Sequence, residues 1–487
     1  MKIQIICFLF FLLLSVTAKS KAPEFDTNEL AKDLNAMATK LETSLSHSID
    51  YLNVLNVVKD FGADNTGLQL TTKQLQKAID SCAKQGSAKL FFPAGTYLTG
   101  TLILKSGVHL EFEEGVKILG STKEKDYPVL YPQYKSNTDR QVNKSLFYAE
   151  KADGISMTGK ATIDFQGADS VYFNTGNNDP RRPFGIRFIS CKNIYINNLQ
   201  LINSPQWMQH YLDCENVLLE NLNVFNHAHQ NNDGIDIDGC RNVYVRDCHV
   251  DSDDDAICLK SNGPASCENV LVENCIVSSH CNALKLGTET TGGFKNIIYR
   301  NCKVVPSATG THHINGNETT ITAITLIITD GGRMENVWFD NIEAENCVTP
   351  IYVTLGNRSR KYTDAAPIPG IGSIENVRLS NIKAKGAGPI SSSATGLNNS
   401  YRIKNISLEN ISVELAHAGN KGDSNVDMNK LFREKKSIYP SPHVWGNLPS
   451  CGFYFRYIDG IKLKNVNVVL RCKDPRRKII FEDYINK

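Results

Sequence analysis

The chain has 487 residues, 41% of them apolar and 21% charged, and its 53 basic and 51 acidic side chains leave a formal charge of only +2. Such a composition supports a large buried core and excludes the polyelectrolyte footprint on which nucleic-acid binding draws. No nucleic-acid partner is expected, and any anionic ligand has to meet cations placed locally.

The N-terminus opens with Met1-Lys2, an apolar run from Ile5 to Val16 and small residues ending at Ala18, the pattern of a secretory signal peptide over residues 1–18. As a helix the apolar run would span about 18 Å against a hydrocarbon core of about 30 Å. A secreted or periplasmic protein with no membrane span is therefore expected. Residues 19–53 are assigned to an N-terminal helical extension, because Leu30, Leu34, Met37, Leu41 and Leu45 recur at helical spacing; the sequence does not reveal what this helix does. Residues 54–487 are assigned to the catalytic domain. At its start, Thr72 to Lys84 forms an amphipathic pattern suited to capping an open sheet end.

A nine-residue motif, Asn-[Val/Ile]-x-apolar-x-[Asn/Asp]-x-x-[small or apolar], then begins at Asn193, Asn216, Asn242, Asn269, Asn296, Asn336, Asn376 and Asn405, with a weaker copy at Gly460. The second polar residue keeps its offset of five in every copy: Asn198, Asn221, Asp247, Asn274, Asn301, Asn341, Asn381, Asn410 and Asn465. Apolar residues alternate within each copy, which is the period of a strand, and the copies recur at roughly one coil of a solenoid. The expected fold is all-β, a single-stranded right-handed parallel β-helix with an N-terminal capping helix. The 14 cysteines include Cys7 in the signal segment, leaving the odd number 14 − 1 = 13. Those such as Cys248, Cys275 and Cys302 recur beside the repeat corners, so stacked buried thiols are expected rather than a disulfide framework. No paired CxxC knuckles occur, and no metal and no cofactor are called for.

Three polar stretches stand apart from the repeat. They are Asn231-Asn232-Asp233-Gly234-Ile-Asp-Ile-Asp238, Asp251-Ser-Asp-Asp-Asp255-Ala-Ile-Cys-Leu-Lys260, and Ser279-His280-Cys281-Asn282-Ala-Leu-Lys285. Asp233 and Asp255 each stand two residues before an apolar strand pair, which predicts that they stack on neighbouring coils. Asp254 has the opposite parity and joins them only if the chain bends at 253–255. Carboxyl groups packed together raise at least one pKa, and inverting glycoside hydrolysis needs one protonated carboxyl and one or two carboxylates.

Asn231-Asn232-Asp233 followed by Asp254-Asp255 resembles the active-site signature of glycoside hydrolase family 28, the polygalacturonases and rhamnogalacturonan hydrolases. Phe61-Gly62-Ala63, the stretch Asp153 to Asp164, and Gly452-Phe-Tyr-Phe-Arg also resemble that family. The resemblance implies a secreted hydrolase of pectic polysaccharide with Asp254 as general acid and Asp233 and Asp255 activating water. Two positions depart from the polygalacturonase pattern. Asn282 stands where those enzymes carry a histidine, and Thr325-Leu326-Ile327 stands where they carry a cationic Arg-Ile-Lys segment. Lys260 and Lys285 are the candidate substitutes, Lys260 having pairing with Asp238 as its alternative, and Asn231 and Asn282 complete the candidate substrate-binding set. Rhamnogalacturonan, or exo-attack on pectic oligosaccharides, is the alternative substrate reading; a Ca²⁺-dependent pectate lyase and a non-catalytic glycan-binding β-helix are the rivals. Trp207, Tyr211 and Tyr299 are core or sugar-stacking candidates, and a monomer is expected.

Overall fold

The computed structural model describes residues 25–45, 53–140, 143–176, 179–309, 318–435 and 439–483. The signal-peptide segment 1–18 lies outside them. From Asn53 onward the chain winds a right-handed parallel β-helix, as expected, with strands joined into one sheet of 21 strands and a second of 12. Every strand pair is parallel, and the 12 strands of the second sheet follow one another coil by coil.

The asparagine repeat forms the corners of the larger sheet. The eight first-position asparagines all adopt φ between +53° and +58°, and the second-position Asn and Asp residues between +53° and +59°. Asparagine, with aspartate, tolerates this left-handed region better than other residues with a side chain, so the repeat is set by the backbone as much as by side-chain bonding. Each first-position asparagine then donates its Nδ2 to the Oδ1 of the one a coil below, from Asn216 on Asn193 up to Asn405 on Asn376, at 2.9–3.2 Å. The second row is less regular: Asn381 donates to Asp340 as well as accepting from Asn410.

Two helices cover what the coils leave open. The expected helix Thr72–Lys84 (α2) forms with those bounds, and its Leu75, Ala78, Ile79 and Cys82 are buried against the first coils. The preceding helix, Thr27–Ser44 (α1), is started by Asp26, whose carboxylate accepts from Asn28 and Glu29 N–H groups. Its Leu30, Leu34, Ala38 and Leu41, with Leu45 just beyond, lie on Leu218, Tyr244, Leu271, Ile298 and Trp338. Those five are a single row through successive coils. They occupy the third position of the repeat, facing away from the core, so α1 buries an outward apolar stripe. The sequence carried this signal in the apolar residues at that position of five consecutive copies. All 13 cysteines among the described residues are free thiols, 12 of them buried, which fits the expected stacked core.

Candidate functional site

The three polar stretches fall on consecutive coils of the 12-strand sheet, in strands Ile235–Asp238, Ile257–Ser261 and Asn282–Thr290. Ile235 is opposite Ile257, which is opposite Leu284, and Ile237 is opposite Leu259, which is opposite Leu286, so these two apolar rows fill the core. Asp236, Cys258 and Lys285 form one outward row, and Asp238 and Lys260 lie in the next.

Asp233 and Asp255 sit at the same level just before their strands, as their spacing predicted: Gly234 N–H donates to Asp255 O at 2.9 Å. Gly234 is required there, because a Cβ would stand 2.4 Å from Val250 Cγ1 and 2.6 Å from Ala256 O. The loop before Asp233 is pinned from below. Asn232 is fully buried and donates to Ser204 O and Gln206 O at 2.8 and 3.1 Å, while Asn226 donates to Asp233 O at 2.9 Å. The bend needed at Asp254 also forms, its carbonyl accepting from Ser252 Oγ at 2.8 Å and Ser279 Oγ at 2.5 Å.

Two buried lysines hold the carboxylates. Lys260 Nζ lies 2.9 Å from Asp233 Oδ2, 3.2 Å from Asp236 Oδ1 and 3.7 Å from Asp255 Oδ2, above the ring of Trp207 at 4.5 Å. Lys285 Nζ donates to Asp255 Oδ2 at 2.6 Å and to Tyr439 Oη at 3.0 Å. Asn282 Nδ2 donates to Asp255 Oδ1 at 2.8 Å, and its own Oδ1 accepts from Thr325 Oγ1 at 3.0 Å. Asn231, in the left-handed region at φ +54°, donates to Asp254 Oδ2 at 3.2 Å. All seven candidate residues therefore meet in one cluster.

The alternative pairing of Lys260 with Asp238 does not form. The two are register partners, but Asp238 is already held by His210 Nε2 at 2.9 Å and by the N–H and Nδ2 of Asn262 at 2.8 and 2.9 Å. Of the aromatic candidates, Tyr211 and Tyr299 are fully buried in the core, whereas Trp207 lies under Lys260 at the site. Two participants were not singled out from sequence. Asp236 was signalled by alternation, which puts it on the same outward face as Lys285. Tyr439 comes from a long excursion between the strands Ile403–Leu415 and Ser450–Arg456, and no local pattern marks it.

Electrostatics divides the carboxyls. Burial, reinforced by the charges of Asp233 and Asp255, holds the half-buried Asp254 well above the usual carboxylate range. Burial also pushes up Asp255, but Lys285 and Lys260, with hydrogen bonds from Lys285 and Asn282, outweigh it and bring this group below its ordinary value. Asp233 is raised by burial and by Asp255, with Lys260 opposing. Asp236 is raised well above the usual range by burial, then by Asp233. Lys260 and Lys285 thus face four aspartate carboxyls whose protons are shared as a coupled set, while Glu289 is held well below its ordinary value, against burial, by Lys260, Arg360, Arg358 and Lys285. Asp254, Asp255 and Cys281 also offer ligand atoms within 4.8 Å of one another. The positive charge beside Asp255 is, however, already supplied by Lys260 and Lys285. Thr325, the uncharged residue singled out from the sequence, is buried and pairs in register with Lys285.

The chain is 32% identical over 212 residues to a "Probable polygalacturonase" of Vitis vinifera, covering 42% of this chain and 43% of that protein. It is 32% identical over 121 residues to an "Exo-poly-alpha-D-galacturonosidase" of Dickeya chrysanthemi, covering 23% and 20%. The chain thus spans less than half the length of these curated relatives. An exopolygalacturonase structure from Thermotoga maritima superposes with a TM-score of 0.67 at 20% identity, over 90% of this chain and 96% of that one; it shares the fold. Among the described residues no helix is long and apolar enough to cross a membrane. The model of the glycosyl hydrolases family 28 matches residues 82–430, a span that includes every candidate site residue, and the chain belongs to that family.

Proposed function

We propose that this protein is a secreted hydrolase of uronic-acid-containing pectic polysaccharide that acts with inversion. In this reading residues 1–18 are a signal peptide, 19–53 a helical extension and 54–487 the catalytic domain. Asp254 protonates the leaving glycosidic oxygen, while Asp255 and Asp233 take the proton from the attacking water. The observation that carries the reading is the division of the carboxyls: half-buried Asp254, free of any lysine bond among the described residues and held above the usual carboxylate range by burial and by Asp233 and Asp255, stands in front of Asp233 and Asp255, which are buried and tied to lysines. That is the division of labour a glycosidase working with paired carboxyls requires; inversion is what the family resemblance implies. Relatives named polygalacturonase and exo-poly-alpha-D-galacturonosidase support the pectic substrate class.

Lys260, Lys285 and Asn282 act in this scheme by fixing charge and orientation on Asp233 and Asp255, since each is nearly fully buried. Asn231, half-buried and bonded to Asp254, is better placed to meet sugar. The uncharged Thr325 leaves the substrate carboxylate without the Arg-Ile-Lys cations of polygalacturonases, which favours rhamnogalacturonan or short pectic oligosaccharides as the second reading.

The test is product release by the purified chain from homogalacturonan and from rhamnogalacturonan, following reducing ends and the absorbance of unsaturated uronate. Reducing ends without that absorbance are expected, and Asp254→Asn should lower kcat by about 10²–10⁴ with the fold unchanged. Unsaturated product would establish elimination. Glycan binding without turnover, unaffected by Asp254→Asn, would establish a binding protein.

A further inference from the structure

Beneath the bend that presents Asp254 lies a second cluster that the proposed reaction does not use. The residues following Asn226, Ser252 and Ser279, which are register partners on three successive coils, are His227, Asp253 and His280. Their relative exposures are 8%, 0% and 0%. Both rings turn the same nitrogen toward one oxygen: Asp253 Oδ1 is 3.0 Å from His280 Nδ1 and 3.9 Å from His227 Nδ1. The ring centroids are 5.1 Å apart.

The outer nitrogens fix the tautomers. His280 Nε2 is 3.2 Å from the carbonyl of Thr309, which can only accept. His227 Nε2 is 2.8 Å from Asp251 Oδ1, and Asp251 also accepts from Ser307 Oγ at 2.7 Å and from Ala308 N–H at 2.9 Å. A carboxylate receiving these bonds is an acceptor as well. Both Nε2 atoms therefore carry hydrogen. If the rings were neutral, two Nδ1 lone pairs would face an anionic oxygen in a buried space, which is repulsive. One cation between the three atoms removes that repulsion.

We propose that His227 Nδ1, His280 Nδ1 and Asp253 Oδ1 bind one divalent transition-metal ion of the zinc class. Two imidazoles and one carboxylate are a ligand set for such an ion rather than for Ca²⁺ or Mg²⁺, which take oxygen. The three ligand atoms lie within 4.8 Å of one another, and bonds of about 2.0–2.2 Å need the 3.9 Å pair to close while the 3.0 Å pair opens slightly. Ligating histidines characteristically donate their other N–H to a carboxylate or a backbone carbonyl, the parts that Asp251 and Thr309 play here. The ion ties three coils together immediately before Asp254 and so acts structurally on the site, whatever reaction Asp254 performs.

The test uses the full chain, purified without chelator. Metal analysis should find about one equivalent of zinc-class ion per chain. After stripping, Zn²⁺ should rebind at one site and raise the thermal midpoint, and Co²⁺ should give visible d–d absorption. Asp253→Asn and His280→Gln should each weaken Zn²⁺ binding by at least about 10-fold, whereas replacing the exposed His249 should not. Failure of the wild-type chain to retain metal or to take up Zn²⁺ or Co²⁺, or equal uptake by the Asp253→Asn and His280→Gln chains, overturns the proposal. Each readout is independent of whether any polysaccharide is cleaved.

Discussion

Lys260 is the position where one substitution most directly tests the electrostatic account of the site. Its ammonium lies 2.9, 3.2 and 3.7 Å from three buried carboxyls. At an effective dielectric of about 20, each full charge pair at these separations is worth about 4–6 kcal/mol. That is a ceiling, because the cluster escapes part of the loss by taking up a proton, and breaking a buried pair typically costs about 3–5 kcal/mol. Lys260→Met keeps the stem over Trp207 and removes only the charge, so a loss of about 4 kcal/mol near pH 7 is expected. With roughly 2.1 cal/mol/K of unfolding entropy per residue, a cooperative solenoid of this length would melt about 4–5 °C lower. The sign with pH follows from linkage. Without Lys260 the folded-state pKa of Asp233 rises further above its unfolded value. The folded chain then binds more protons than the unfolded one, and stability falls as pH rises through that interval. The deficit should therefore shrink toward pH 4 and grow toward pH 8, as read by thermal melts of the two chains at matched scan rates. A variant that melts within 1 °C of the parent at pH 7, or whose deficit does not change with pH, would refute the argument.

Three further substitutions probe how the fold delivers the site. Gly234→Ala forces a Cβ against Val250 and the carbonyl of Ala256; an overpacking cost of about 1–3 kcal/mol and a drop in kcat of at least about 10-fold are expected, measured together by melting and turnover. Asn269→Ala loses both the ladder bonds with Asn242 and Asn296 and the residue suited to φ +55°, about 2–3 kcal/mol in all. Asn269→Gly keeps the backbone freedom and should recover roughly 1 kcal/mol of that in the same melts. Leu34→Ala opens the seam between α1 and the outward apolar row, at about 2–4 kcal/mol of local stability, and should show as faster amide exchange in α1 with turnover unchanged.

What the sequence revealed follows from which constraints are local. The asparagine corners were legible because a left-handed backbone at every coil admits few residue types, and the 22-residue offset of Asp233 and Asp255 was legible because one coil is one stacking step. The alternative pairing of Lys260 with Asp238 fails for a physical reason. Register does place it opposite Asp238, but His210 and Asn262 saturate that carboxylate, and a four-carbon stem reaches back along the strand to Asp233 and Asp236 instead. Tyr439 and the landing place of α1 depend on which distant coil a long excursion or a terminal helix meets. Spacing within the chain carries little of that, although the apolar third position of five repeat copies did mark the stripe that α1 covers.

If Asn282 stands where the resemblance puts a histidine, the difference acquires a meaning in this framework. A histidine beside Asp255 would change charge within the working pH range and change the carboxylate's environment with it. Asn282 is a neutral donor at any pH, with its oxygen bonded to Thr325 Oγ1 so that Nδ2 is left pointing at Asp255. The positive charge that steadies Asp255 comes instead from Lys285 and Lys260, which remain protonated throughout because burial is outweighed by the surrounding carboxylates. The cluster therefore exchanges a titrating support for a fixed one. In the proposed reaction, the support of Asp255 then adds no titration of its own to the pH dependence of turnover.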